Sequence, residues 1–507
     1  MPTPTEHAMA VYAGRDHDLF CHDLPSKPLA AVGKVLVTGA SGYIGGRLVP
    51  ELLARGYSVR IMVRAPSPVY HEHWPQVEVV AADALDPGQL RAALKGIDTA
   101  YYLIHSLLLG HKKFATADIQ AAINFRLAAE ESRIKRIIYL GGLGDTQARL
   151  SRHLQSRIQV ADELRKGTVP VTSLRAAIII GSGSASYEII QHLVKKIPIM
   201  LVPRWAKTRC QPIAIRDVIK YLVGTMEIPA TAGGSFDIGG TDILSYQEML
   251  KIRADLLGKK LLFIPFFSFL PLYSYIGSLI TPVPAPITRS LMEGLKNEVI
   301  CQDTTIRSYL PFTPLSYREA ILRAMNREER DQIYTRWSDA YPPAHELALQ
   351  FHELKNGAKY TGTYSVTTAK TASALFAAIC RVGGKEGWFS NNVLWRVRGA
   401  IDRILMGVGT SRGRKSHSSL RINDVIDFWR VEDLQRDRRL LLRSEMKLPG
   451  KAWLEFMIRD DGTMRFLTIS AHYHPEGFLG DAYWYLFLPF HDLLFNNLLK
   501  QIEVRSR

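Results

Sequence analysis

KVLVTGASGYIGGRLVPELLARG, residues 34–56, decides the fold. Its first residues form an apolar run that ends in glycine, which reads as a strand entering a tight turn. GGRLVPELLARG then reads as an amphipathic helix closed by Gly56. Between them Gly39, Gly42 and Gly45 make the spacing GxxGxxG. Glycine lets the backbone turn sharply and approach a pyrophosphate, and the helix N-terminus supplies amides and the positive end of its dipole. A glycine pattern alone is a weak signal. This one follows a strand and opens a helix, so it points to a bound dinucleotide. Ser41, Tyr43 and Ile44 complete the turn and join the glycines as candidate cofactor-binding residues.

The alternation continues downstream. SVRIMVR, VEVVAADAL, DTAYYLIHS, KRIIYLGGLG and VPVTSLRAAIII read as strands, and GQLRAALKG, ADIQAAINFRLAAEESRI and the segment opening at SRHLQ read as helices. That order specifies an α/β chain with a doubly wound parallel sheet and crossover helices. The end of the second strand bears on which dinucleotide binds. NAD binders place an acid there for the ribose 2′-hydroxyl. This strand ends in Arg64 with no acid, which suits a 2′-phosphate and favours NADP(H) over NAD(H). The plainer reading of Arg64 is a solvated strand end. Asp83 and Ala84, closing the third strand, are placed to meet an adenine through a carboxylate and an amide, or Asp83 simply caps a turn.

TGASGYIG, VAADALD, YYLIHS and LRAAIIIGSGSASYEII together resemble the short-chain dehydrogenase/reductase (SDR) superfamily, in its extended, NmrA-like and epimerase-like branch. QPIAIRDV, residues 211–218, resembles the segment of extended members that leads into a substrate lobe. The resemblance implies a Rossmann domain with that lobe over about 185–330, and it puts Ile104 and His105 on the nicotinamide side of the cleft. It also implies a catalytic tyrosine and lysine spaced YxxxK. At that place this chain reads His153-Leu-Gln-Ser-Arg157, and the strand before it ends in YLGGLG, where relatives often carry a hydroxyl. Arg157 can hydrogen-bond a ribose but does not exchange protons near neutral pH. His153 has an imidazole that titrates near neutrality and could serve as acid or base. A helix-surface histidine is the competing reading. Conventional alcohol dehydrogenase chemistry is in doubt, while hydride transfer belongs to the cofactor.

With 507 residues the chain exceeds one ordinary core. The expected division is a tail over 1–32, a dinucleotide-binding domain over 33–345 and a further domain over 346–507. The net charge of +16 suits nucleic acid, an anionic membrane surface or anionic ligands such as cofactor phosphates, or serves only solubility. Four widely spaced cysteines form no metal-ligand pattern and fit a reducing cytoplasm. No signal peptide is read at the N-terminus. Residues 261–288 carry no charge, but Pro265, Pro271, Pro282, Pro284 and Pro286 argue against a spanning helix. Prolines 282, 284 and 286 are expected to break any helix there. A buried or cleft-lining segment is expected, and a peripheral membrane contact is the alternative.

The last third has a different texture. KYTGTYSVTTAK, LRINDVIDFWRVEDL, RRLLLRSEMKLP and KAWLEFMIRDDGTMRFLTISAHYHP read as antiparallel strands with a turn at Asp461-Gly462. AYWYLFLPFHDLLFNNLLKQI reads as a long terminal helix, interrupted or kinked at Pro489, the alternative being that Ala482 to Leu488 continue the sheet or form a separate turn. Trp484, Phe487, Phe490 and Phe495 are its expected inward stripe. LWRVRGAIDRIL, DFWRV, EMKLPGKAWLEF and YWYLFLPFH resemble the DUF2867 family, and the layout resembles an α+β helix-grip (Bet v1/START-like) fold, which implies an apolar ligand cavity. His472 and His474 share a strand face, without an evident third metal ligand. Trp429, Trp453, Trp484, Tyr483 and Tyr485 read first as core. Arg412, Arg414, Lys415 and Arg421 read as a solvated basic loop, and no nucleic-acid motif accompanies them. Two functions remain open: an NADP-dependent reductase of a hydrophobic carbonyl, enone or quinone-like small molecule, and a non-catalytic dinucleotide-binding sensor or assembly protein.

Overall fold

The computed structural model describes residues 19–64, 70–71, 74–104, 114–144, 150–266, 275, 277, 280–281, 283, 285–329, 351, 354, 357–384, 386–389, 392–405, 407–409, 414, 420–462 and 464–506. They form two compact units, the first carried by residues up to 329 and the second by residues from 351.

The first unit is built on β1 (Val35–Thr38), α1 (Gly45–Ala54), β2 (Val59–Val63), β3 (Glu78–Ala81), α2 (Pro87–Leu94), β4 (Thr99–Tyr102), α3 (Phe114–Glu131), β5 (Arg136–Gly142), α4 (Arg152–Arg165) and β6 (Val171–Ala176). It continues through α5 (Ala185–Lys196), β7 (Ile199–Val202), α6 (Ile215–Glu227), β8 (Ser235–Ile238), β9 (Leu262–Pro265) and α7 (Ala285–Gly294). Seven strands lie in the order β8-β6-β5-β4-β1-β2-β3, all parallel. The central strands β1 and β4 are covered on both faces, and every residue in them is buried. Val35 and Val37 pack with Leu48 and Leu52 of α1 and Leu222 of α6. Leu36, Ala100 and Tyr102 pack with Leu90 of α2, Phe125 of α3 and Val160 of α4. The chain order reverses between β1 and β4, which opens a crevice beyond their carboxyl ends. Thr38 ties that edge together: its hydroxyl donates to the Tyr101 carbonyl at 2.9 Å and accepts from the Leu103 amide at 3.0 Å.

Several expectations need correction. Residues 19–32 were expected to end a loose tail, but Phe20, Cys21, Leu24 and Val32 are buried in the first core. The buried Glu51 carboxylate draws them in by accepting the amides of Phe20 and Cys21, the latter at 3.0 Å. Proline does not exclude helix near 286, because Pro286 lies in the first turn of α7, where its missing N–H costs nothing. The uncharged 261–288 segment divides: Leu262, Ile264 and Phe266 are exposed, whereas Thr281, Val283, Ile287 and Thr288 are buried as expected. No helix among the described residues is long and apolar enough to cross a membrane.

The second unit holds β10 (Tyr360–Thr368), β11 (Val425–Ile426), β12 (Trp429–Gln435), β13 (Arg439–Ser444), β14 (Gly450–Asp460), β15 (Arg465–Pro475) and α8 (Gly477–Arg505). Its six strands are antiparallel in the order β10-β15-β14-β13-β12-β11. The β14–β15 turn is where the Asp-Gly pair placed it, with Gly462 at φ +95°. α8 lies on β10 and β15 and runs unbroken through Pro489, so Ala482 to Leu488 are helical. Proline frees the carbonyl four residues before it. That residue, Tyr485, is 62% exposed, so water can satisfy the freed group. Buried Trp484 and Phe495 anchor the helix on either side. Phe490 is turned outward, 48% exposed, because the buried stripe follows Trp484, Phe495, Leu498 and Ile502 instead. Trp484 stacks between Tyr360 and Tyr473, with centroids at 5.4 and 5.8 Å, so these rings are core. Trp429 and Trp453 are also buried, while Tyr485 is exposed. Arg414 is no loop cation: it is buried and braces the carbonyls of Cys380 (2.6 Å) and Val382 (3.1 Å). Arg412 and Lys415 lie outside the described residues.

On the sheet, His472 spends one ring nitrogen on the Thr361 hydroxyl (3.0 Å) and the other on Glu455 (3.2 Å). The His472 hydrogen bond holds the Glu455 carboxyl below its usual range, with Arg439 at 2.6 Å adding to it. A depressed carboxyl contributes stability above its unfolded-state pKa and loses it as pH falls through the folded one. Glu455→Gln is therefore expected to lower the unfolding free energy by about 1–3 kcal/mol at neutral pH, and the deficit should shrink toward zero below about pH 4. Denaturation of both proteins at the two pH values checks this. A deficit independent of pH would mean the pair contributes shape alone.

Candidate functional site

The glycine turn has the geometry its spacing implies. Gly39 sits at φ +65°, and a Cβ there would come within 2.8 Å of the Leu103 carbonyl oxygen. The Gly42 amide donates to the Gly39 carbonyl at 2.9 Å, closing the turn. A Cβ on Gly45 would overlap that same Gly39 oxygen and stand 2.7 Å from Ala40 Cα. Both glycines are thus required sterically. They bring the first amides of α1 to the crevice between β1 and β4, where a pyrophosphate finds hydrogen-bond donors and a positive dipole end. The residues present fit a dinucleotide, whose nicotinamide would supply or accept the hydride. Ser41 and Ile44 lie half-buried in this turn. Tyr43 reaches away from it, toward the loop after β6: a Cβ on Gly181 would meet its hydroxyl at 2.5 Å. Arg47 lies over the Tyr43 ring at 4.1 Å and donates to the Ser182 carbonyl at 2.8 Å, joining the two loops.

At the other end of the crevice, Arg64 is exposed where β2 ends, with the Asp83 carboxylate within electrostatic reach. Asp83 does cap a turn: its carboxylate accepts the Leu85 amide at 2.9 Å. Asn124 of α3 holds that turn from below, donating to the carbonyls of Ala84 (3.2 Å) and Leu85 (3.1 Å). Sequence reasoning missed Asn124. Its signal was a polar residue on the buried, alanine-rich face of α3, where it is 6% exposed.

At the carboxyl ends of β4 and β5 the structure brings Arg157 and Ile104 together. The Arg157 guanidinium donates to the Leu140 carbonyl at 2.6 Å and to the Ile104 carbonyl at 3.4 Å, bridging the ends of β5 and β4. It also lies over the Tyr139 ring at 5.1 Å, and the Tyr139 hydroxyl donates back to the Arg157 carbonyl at 3.0 Å. Arg157 is 9% exposed, so it forms part of the cleft's floor. Buried Asp118, a second residue missed in the sequence, adds its charge near Tyr102 and Tyr139. His153 stands one turn before Arg157, half-buried, in the first turn of α4. Ser151 caps this helix, and its own amide donates to the Asn297 side chain at 3.1 Å. β5 ends in Gly141 and Gly142, so no hydroxyl stands there. His105 lies outside the described residues.

Comparison with known proteins agrees with both halves. Residues 39–195 match a family described as NAD(P)H-binding, and residues 354–498 match a protein family of unknown function, DUF2867. Among curated relatives, a 3-beta-hydroxysteroid dehydrogenase of Mycolicibacterium neoaurum is 31% identical over 117 residues, 21% of this chain and 31% of that protein. A ceramide reductase of Caulobacter vibrioides is 28% identical over 238 residues, 45% of this chain and 72% of its own length. The chain spans only 19–31% of the length of the first curated relatives it matches. Among solved structures, the Citrobacter sp. triphenylmethane reductase with NADP(H) aligns at TM-score 0.47–0.48 alongside others, itself at 0.48 with 18% identity, covering 57% of this chain and 99% of that one. Bordetella bronchiseptica WbmG with NAD and UDP aligns at TM-score 0.47 with 14% identity, covering 60% of this chain and 96% of its own.

Proposed function

We propose that this chain, which joins an NAD(P)H-binding domain to a DUF2867 domain, is an NADPH-dependent reductase of a hydrophobic carbonyl, enone or quinone-like small molecule. The observation that carries the cofactor preference is Arg64, exposed at the end of β2 with no acid on that strand. Arg157 holds the ribose side, and His153 donates the proton that accompanies hydride delivery. The hydroxysteroid and ceramide enzymes among the relatives are named for apolar substrates, which agrees with this substrate class. The second unit is read as a helix-grip domain that presents the apolar ligand, supported by a long helix laid across an antiparallel sheet. A cytoplasmic setting is part of the same proposal, since four dispersed cysteines suit a reducing compartment.

One observation favours a second reading, a dinucleotide-bound sensor or assembly protein without turnover. The YxxxK positions hold His153 and Arg157, and β5 ends without a hydroxyl. NADPH oxidation in the presence of a panel of apolar aldehydes, enones and quinones separates the two. Substrate-dependent oxidation supports the reductase. Tight NADPH binding with no oxidation across the panel supports the sensor. For the cofactor itself, Arg64→Ala is expected to weaken NADPH about ten- to hundredfold, the loss of one charge-assisted contact. NADH affinity should stay unchanged. Equal weakening of both would remove Arg64 from the 2′-phosphate.

A further inference from the structure

β7 and β9 form a separate two-stranded parallel sheet, with Ile199 beside Leu262 and Leu201 beside Ile264. Strand alternation sends Met200 and Val202 inward, 5% and 9% exposed, and Met200 packs with Val194 and Ala254. The other face meets solvent with Ile199 at 53%, Leu201 at 43%, Leu262 at 57% and Ile264 at 41% exposed, and Phe266 adds 49% beyond them. A solvated strand face is ordinarily polar, so adjacent apolar rungs mark a contact surface. Cations gather at one end of it. Lys195 and Lys196 close α5 just before β7, Lys259 and Lys260 come just before β9, and all four are exposed. The Lys259 ammonium donates to the Lys195 carbonyl at 2.7 Å, so the two lysine pairs sit side by side. No Asp or Glu lies between Glu188 and Asp217, nor between Asp255 and Glu293.

We propose that this face docks the first unit onto the surface of an anionic lipid bilayer. The apolar rungs enter the boundary between headgroups and acyl chains, and the lysines reach anionic headgroups beside them. Charge complementarity selects this occupant. A second copy of the same face would offer these lysines no anionic partner. The inference does not depend on the reductase reading, since it rests on a sheet apart from the glycine turn.

Co-sedimentation of the full chain with phosphatidylcholine vesicles containing about 30 mol% phosphatidylserine tests it. Binding is expected there, with little on phosphatidylcholine alone, and it should weaken as salt rises to about 0.5 M. Ile199→Asp with Leu262→Asp changes two side chains that are more than half exposed, so melting temperature and NADPH affinity should hold. Vesicle partitioning should fall about 100-fold. Lys195→Glu with Lys260→Glu should cost at least about tenfold and abolish the salt dependence. The proposal is overturned if the wild-type protein ignores anionic vesicles, binds neutral ones equally, or binds as well with both aspartates. It is also overturned if a concentration-dependent dimer is lost in the aspartate variant, which would assign the face to a second copy.

Discussion

A Gly45→Val variant is expected to lose at least about 100-fold in NADPH affinity. The side chain would begin inside the Gly39 carbonyl oxygen and 2.7 Å from Ala40 Cα, both backbone atoms that cannot step aside by changing rotamer. The turn must open to admit it. Opening takes the first amides of α1 out of line with the pyrophosphate, and each such hydrogen bond to a charged group is worth about 1.5–3 kcal/mol. Losing two of them accounts for a factor of about 100 to 10,000. Gly45→Ala, with a single methyl, should move in the same direction. Fluorescence titration measures both variants, and circular dichroism verifies that the sheet is intact. Undiminished affinity in a folded Gly45→Val protein would mean that the cofactor does not lie on this turn.

His153→Ala is expected to lower turnover by about 100- to 10,000-fold once a substrate is in hand, the usual contribution of a general acid or base. NADPH affinity should change little. Arg157→Ala should do the reverse in part. Its guanidinium links the Leu140 and Ile104 carbonyls, so removing it unpins the ends of β4 and β5 where the nicotinamide ribose would rest. Cofactor affinity should fall, and Arg157→Lys should recover some of it, since an ammonium reaches one carbonyl where the guanidinium reaches two. Separate kcat and Kd measurements distinguish the roles. Unchanged kcat in His153→Ala would return that residue to the surface of α4, and unchanged Kd in Arg157→Ala would break the proposed placement of the ribose.

The strands of the first sheet were legible because buried parallel strands read as largely apolar runs, and the glycine turn because Gly39 and Gly45 each answer a steric demand. The face of α3 that carries Asn124 and Asp118 was not. Polar residues on a buried face are recognised by what they bond, and the carbonyls of Ala84 and Leu85 lie about 40 residues upstream. Arg157 was found through its place in a motif, while its bridging of two strand ends is a tertiary fact that local sequence does not carry. Pro489 misled for a related reason. Local propensity argues for a break, and burial of Trp484 and Phe495 on either side overrides it. The anchoring of Phe20 and Cys21 by Glu51 was hidden likewise, because a polar-looking tail gains its order from one carboxylate in α1. Antiparallel strands and the Asp461-Gly462 turn were read correctly in the second unit, where alternation and turn chemistry are local signals.

The central claim is that the crevice at the ends of β1, β2 and β4 is an NADPH site. Calorimetric titration of the wild-type chain with NADPH and with NADH, in one buffer, tests it most directly. With Arg64 on a 2′-phosphate, as proposed, NADPH should bind about ten- to hundredfold more tightly than NADH. Equal affinities, or no binding of either, would contradict it.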